Sequence, residues 1–162
     1  MSSPIKKIMV YIDGTEEAIT AARYAICLAR FCDAELIAYY VVNTRAVEDL
    51  LRASIFLKEE QLEYEHDMEA DAERYLNYVG ELAQAKGVSL VKKQSRGSVH
   101  SEIAQAVRAE QVDLLVIGEL SRIRSRRDEF YDESERAMRS VDCSVLIVKD
   151  EERVWEMYEA LG

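Results

Sequence analysis

At 162 residues the chain suits one domain with a full hydrophobic core, and 49% hydrophobic with 32% charged residues is the composition of a soluble globular protein. A formal net charge of −10 argues against nucleic acid and anionic membrane as partners, because both need a basic face. No N-terminal apolar run is long enough for a signal peptide and none approaches a membrane span, so the expected location is cytoplasmic.

Lys7 to Ile12 reads as a strand running into the turn Asp13-Gly14-Thr15. Thr15 can cap a helix whose first turn carries Glu16 and Glu17, the favourable sign at a helix N-terminus. Ala18, Ala22, Ala25, Ile26 and Ala29 then recur at helical spacing to about Phe31, and so many alanines predict close packing on a sheet. Glu35 to Val42 is the second strand. Residues 45 to 86 are helical in character, with stripes at Val47, Leu50 and Leu51 and at Tyr64, Met68, Ala72, Tyr75, Leu76, Val79 and Leu82. Ser54 to Leu57 lowers helix propensity and predicts a break.

Lys86-Gly87 ends the long helix, as glycine commonly does just past a C-terminus. Val88 to Gln94 is the third strand. Gly97-Ser98 breaks it, with Ser98 as the cap of a helix to about Glu110 whose inner face is Ile103, Ala104, Ala106 and Val107. Asp113 to Ile117 and Val145 to Val148 are the fourth and fifth strands. Glu151 to Leu161 is an amphipathic helix with Val154, Trp155, Tyr158 and Leu161 on one side, able to dock on its own domain, a second subunit or a partner.

Strand and helix alternate, and the last two strands are near-continuous apolar runs, as expected when helices cover both faces. The fold class is therefore α/β with an open parallel sheet. Residues 1–150 form the domain and 151–162 a helical extension of it. Cys27, Cys32 and Cys143 are odd in number, lack a C-x-x-C and read as small buried hydrophobes. His66 and His100 stand alone and read as surface histidines. No nucleophile–base constellation is visible, so no enzyme activity is expected.

The stretch Asp113 to Val148 has the strand-Gly-loop-helix layout in which α/β proteins hold phosphates. Such a loop needs small residues, yet Gly118 is followed by arginines, acids and a tyrosine. Arg122, Arg124, Arg126 and Arg127 stand against Asp128, Glu129, Asp132, Glu133 and Glu135, so the segment is near neutral. We read it as a solvated loop, with phosphate capture by side chains and partner contact as alternatives.

Three segments resemble the universal stress proteins. Val10-Tyr11-Ile12-Asp13-Gly14-Thr15 resembles the family's first strand and turn, Asp113-Leu114-Leu115-Val116-Ile117-Gly118 its fourth strand, and Ser134-Glu135-Arg136-Ala137-Met138-Arg139 with Cys143-Ser144-Val145-Leu146-Ile147-Val148 its closing helix and strand. The resemblance implies a five-stranded parallel sheet of order 3-2-1-4-5, adenine nucleotide alpha hydrolase-like, with helices on both faces. It also implies a homodimer paired through the fifth strand, Val145, Leu146, Ile147 and Val148, an apolar edge that the terminal helix could cover instead.

Many members bind ATP, and the resemblance places Asp13 and the Val41 backbone at the adenosine end and Gly118 and Ser121 at the phosphates. The family's later Gly-Ser pair falls on Tyr131 and Asp132. Tyr131 is bulky, and Asp132 adds charge beside an anion. Two like charges about 4 Å apart repel by roughly 1–4 kcal/mol, or about one to three powers of ten in affinity. The expectation is a universal-stress-type dimeric regulatory or interaction protein with a protein partner, no certain cofactor, and weak ATP binding or none. The alternative is an adenine-nucleotide-binding stress sensor with an atypical phosphate loop.

Overall fold

Five parallel strands carry the domain in the computed structural model, which describes residues 3–53, 58–120 and 133–162. They are β1 (Lys7–Ile12), β2 (Glu35–Val42), β3 (Leu90–Arg96), β4 (Leu114–Gly118) and β5 (Ser144–Val148). Their order is β3-β2-β1-β4-β5, as expected, so the sense in which strands are added reverses between β1 and β4. The described helices are α1 (Glu16–Cys32), α2 (Thr44–Arg52), α3 (Lys58–Ala85), α4 (Val99–Glu110), α5 (Glu133–Ser140) and α6 (Glu151–Ala160). The break expected at Ser54 to Leu57 lies outside the described residues.

Alternate strand residues feed two cores, because successive side chains point to opposite faces. Ile8, Val10, Ile12, Leu36, Ala38, Val116 and Val148 pack with α1, α3 and α6. Met9, Tyr11, Ile37, Tyr39, Val41, Leu115 and Ile117 pack with α4 and α5. The alanine stripe behaves as read: Ala18, Ala21, Ala22, Ala25 and Ala29 are all buried, and α1 lies against β1 and β4. On α3 the buried stripe is shorter than expected. It runs through Ala72, Leu76, Val79 and Ala83, while Tyr64 is exposed.

Three helices end in the same hydrogen-bonded turn. The N–H of Ala34, Val88 and Val112 bonds to the carbonyl of Ala29, Ala83 and Val107 respectively. One residue earlier, Asp33, Gly87 and Gln111 sit at positive φ. This is the Schellman pattern, in which the left-handed residue lets the chain fold back and satisfy the last carbonyls. It corrects the start of the third strand. Val88 is spent on closing α3, so the ladder begins at Leu90 and continues to Arg96, two residues later than expected at both ends.

The tail also differs from expectation in one respect. Val154 and Tyr158 are buried against α1, but Trp155 is 49% exposed and lies off that face. Tyr158 Oη donates to the Leu82 carbonyl (2.6 Å), and Lys86 Nζ to that of Leu161 (2.8 Å). The helix thus docks on α1 and α3 of its own domain. Among the described residues no helix is long and apolar enough to cross a membrane.

At the N-terminal ends of the strands, Asp113 pins β1 beside β4. Its Oδ2 accepts from the N–H groups of Lys6 (2.8 Å) and Lys7 (3.0 Å). Those two bonds hold its carboxyl below the ordinary carboxylate range. A folded pKa below the unfolded one gives stability that is present above about pH 4 and lost as pH falls through the folded value. In Asp113→Ala, the deficit in urea midpoint relative to wild type should therefore be full at neutral pH and should narrow below about pH 4.

Candidate functional site

The strand order reverses between β1 and β4, and open α/β sheets bind ligands in the crevice outside the C-terminal strand ends at such a point. Val10 pairs with Val116, so Ile12 lies level with Gly118 two residues on. The last β1–β2 pair is Ile12 with Tyr40, and Val41 runs past it. Asp13, Val41 and Gly118 are thus gathered at one end of the sheet. Ser121, Tyr131 and Asp132 lie outside the described residues, as do Arg122, Arg124, Arg126 and Arg127.

Asp13 is engaged by its own turn. Its Oδ1 accepts from Thr15 N–H (3.0 Å) and from Thr15 Oγ1 (2.6 Å). Thr15 Oγ1 in turn accepts from Ala18 N–H (3.1 Å), capping α1. The relay Asp13–Thr15–Ala18 satisfies donors at the helix start that would otherwise face an anion. Glu16 and Glu17 follow in the first turn and are exposed, and they add negative charge at this N-terminus.

Gly118 is small for a reason inside the fold. A methyl group built on it would lie 2.6 Å from both the carbonyl carbon and oxygen of Glu17. The first turn of α1 crosses the end of β4 at backbone contact, and only glycine permits that approach. On the β1 side, a methyl group built on Gly14 would lie 2.9 Å from Tyr75 Cε2. The Tyr75 ring, carried by α3, also stacks on Tyr40 with centroids 6.5 Å apart and planes 7° from parallel. Burial, and after it the Asp13 and Asp71 carboxylates, push the Tyr40 hydroxyl up to about 12. Arg74 Nη2 pairs with Asp71 (2.7 Å), and its guanidinium lies over the Tyr75 ring at 5.4 Å.

Two arginines near the strand ends are matched locally. Arg96, closing β3, bonds to Glu65 (2.8 Å) and Glu69 (2.7 Å) of α3. Arg136 lies 3.6 Å from Glu133 at the start of α5. His100 is half-buried, with Nδ1 3.2 Å from Ser98 Oγ and 3.6 Å from Glu133 Oε2. That is a correction for Ser98: it occupies the N-cap position of α4 but makes no side-chain cap bond there. His66 is exposed, as read.

Burial pushes the Cys27 and Cys143 thiols up from their ordinary range, so neither is an activated nucleophile. Among the described residues no group of three or more His, Cys, Asp or Glu side chains is placed to hold a metal ion. Away from the crevice, an open groove of about 740 Å³ lies between α3 and β3, with Lys92 bonded to Asn77 (3.0 Å) at its wall.

The fifth strand is an edge. Among the described residues it pairs only with β4, and Val145, Leu146 and Ile147 are half-buried while Val148 is buried. Sequence reasoning placed Asp13, Val41 and Gly118 together but did not give Tyr75 or Tyr40 a place beside them. Tyr40 immediately precedes Val41, and that adjacency was the signal available.

Comparison with known proteins agrees with this architecture. A sequence model of the universal stress protein family matches residues 4–149. A universal stress protein of Methanocaldococcus jannaschii is 29% identical over 144 residues, covering 89% of this chain and 82% of that one. A solved universal stress family protein from Burkholderia pseudomallei superposes with a TM-score of 0.71 at 21% identity, covering 93% of this chain and 100% of that one. An Arabidopsis thaliana family protein solved with AMP bound superposes with a TM-score of 0.62 at 17% identity, covering 91% and 94%.

The Glu17 contact makes a prediction about stability. Gly118→Ala should lower the free energy of unfolding by about 1–3 kcal/mol, the usual cost of overpacking, or more if α1 must shift. Urea denaturation of the variant without any added nucleotide measures it, and an unchanged midpoint would mean that α1 can move aside.

Proposed function

The chain belongs to the universal stress protein family, and from that premise we propose that it is a dimeric regulatory or interaction protein of the cytoplasm that binds ATP weakly or not at all. It carries out no chemistry of its own and acts through a protein partner. The observation that carries this reading is the state of the strand ends. Gly118 is taken up by the backbone of Glu17, and the start of α1 is capped by Asp13 and Thr15 and followed by two exposed acids. An anionic ligand arriving there meets like charge and few free donors. The raised thiols of Cys27 and Cys143 give no support to a nucleophilic enzyme.

A second reading, an adenine-nucleotide sensor with an atypical phosphate loop, is favoured by the AMP bound to the Arabidopsis relative. Calorimetric titration with ATP, with and without magnesium, on protein freed of copurified nucleotide separates the two. The expected result is no binding heat up to millimolar ATP. Micromolar binding would overturn the first reading in favour of the sensor.

The dimer is proposed to form through β5, whose outer edge and half-buried Val145, Leu146 and Ile147 suit pairing with a second copy. Ile147→Lys should shift the sedimentation profile toward monomer. An unchanged profile would move the interface elsewhere.

A further inference from the structure

At the adenosine half of the crevice the chain supplies its own aromatic ring. Tyr75 reaches from α3 across the end of β2 to the turn after β1, where its Cε2 lies against Gly14. Its face is offset-stacked on Tyr40, the last residue of β2 that pairs with β1. Asp13 adjoins Gly14 in the chain, and Asp71 stands one turn before Tyr75 on α3. The Arg74 guanidinium lies over the Tyr75 ring and is itself held by Asp71. A flat heteroaromatic group entering toward Asp13 would seek the same surroundings: an aromatic face to stack on, a glycine to lie against and a carboxylate at its edge.

We propose that Tyr75 is a built-in occupant of the adenosine half of the crevice and a specificity-determining residue, because its ring fills the place against Tyr40 and Gly14 that the base of a nucleotide would fill. This inference rests on the reading of the strand-end crevice given above and deepens it. Weak nucleotide binding then has a cause at the base end that is independent of the phosphate end. Removing the ring should expose the Tyr40 face without disturbing Asp13, which is held by Thr15.

The test is calorimetric titration of Tyr75→Ala, Tyr75→Phe and wild type with three probes: AMP, adenosine and ribose 5-phosphate. Tyr75→Ala should bind AMP and adenosine more tightly than wild type by at least about tenfold, the scale of one base stacked on an aromatic side chain. Ribose 5-phosphate should gain nothing, and Tyr75→Phe, which keeps the ring, should behave as wild type. Circular dichroism and the thermal midpoint establish that each variant is folded. If Tyr75→Ala does not fold, Tyr75→Leu keeps most of the apolar volume and should show a smaller gain of about threefold.

A folded Tyr75→Ala or Tyr75→Leu variant that binds adenosine no better than wild type overturns the proposal and leaves the reading of weak ATP binding standing. Micromolar binding of AMP to the wild type overturns both. A gain for ribose 5-phosphate equal to that for adenosine would place the effect at the phosphate end and also overturn the role of Tyr75.

Discussion

How closely α1 can lie on the sheet decides much of this structure. Its buried residues are mostly alanines, with Thr20, Ile26 and Cys27 among them, so little side-chain thickness separates its backbone from β1 and β4. At its first turn the separation falls to backbone contact with Gly118. Dense packing of this kind leaves no room for an added methyl group, and it makes the position of the helix start a fixed quantity. With α1 held that low, its outer flank still carries Arg23 and Cys27, and α6 lies along that flank with Val154 and Tyr158.

The same fit determines the character of the strand ends. Because Glu17 backbone meets Gly118, the acidic first turn of α1 is held at the C-terminal end of β4. The cap Asp13–Thr15–Ala18 then consumes donors that a phosphate would need. On the other side, α3 is long enough to bring Tyr75 over the end of β2, and Glu65 and Glu69 of the same helix neutralise Arg96. The family architecture is retained, without any change in strand order.

Elements whose residues are buried on both faces were legible from the sequence. β1, β2 and β4 are apolar runs with no competing pattern, and α1 is bounded by a capping threonine and an alanine stripe. β3 was placed two residues early because Val88 looks like a strand residue. Only the hydrogen bond from its N–H back to Ala83 shows that it belongs to the end of α3. Trp155 was misplaced because neighbouring residues on a helix point about 100° apart, and either Val154 or Trp155 could have faced inward. Val154 prevails because Tyr158, one turn on, finds the Leu82 carbonyl. At the site, motif resemblance located Asp13, Val41 and Gly118. It could not reveal the Glu17 contact or the reach of Tyr75, since both are set by how helices far apart in sequence settle on the sheet.

The docking of α6 has a consequence for the order in which the molecule is made. α1 leaves the ribosome early, directly after β1, whereas the helix that covers its outer flank follows every strand. Until the tail has been synthesised, that flank stays wet, the Leu82 carbonyl lacks its bond from Tyr158, and Lys86 lacks its acceptor at Leu161. The sheet and its first helices can therefore assemble during translation, but the last packing step waits for the tail. A nascent chain stalled before Asp150 would present a surface to chaperones that the finished protein never shows.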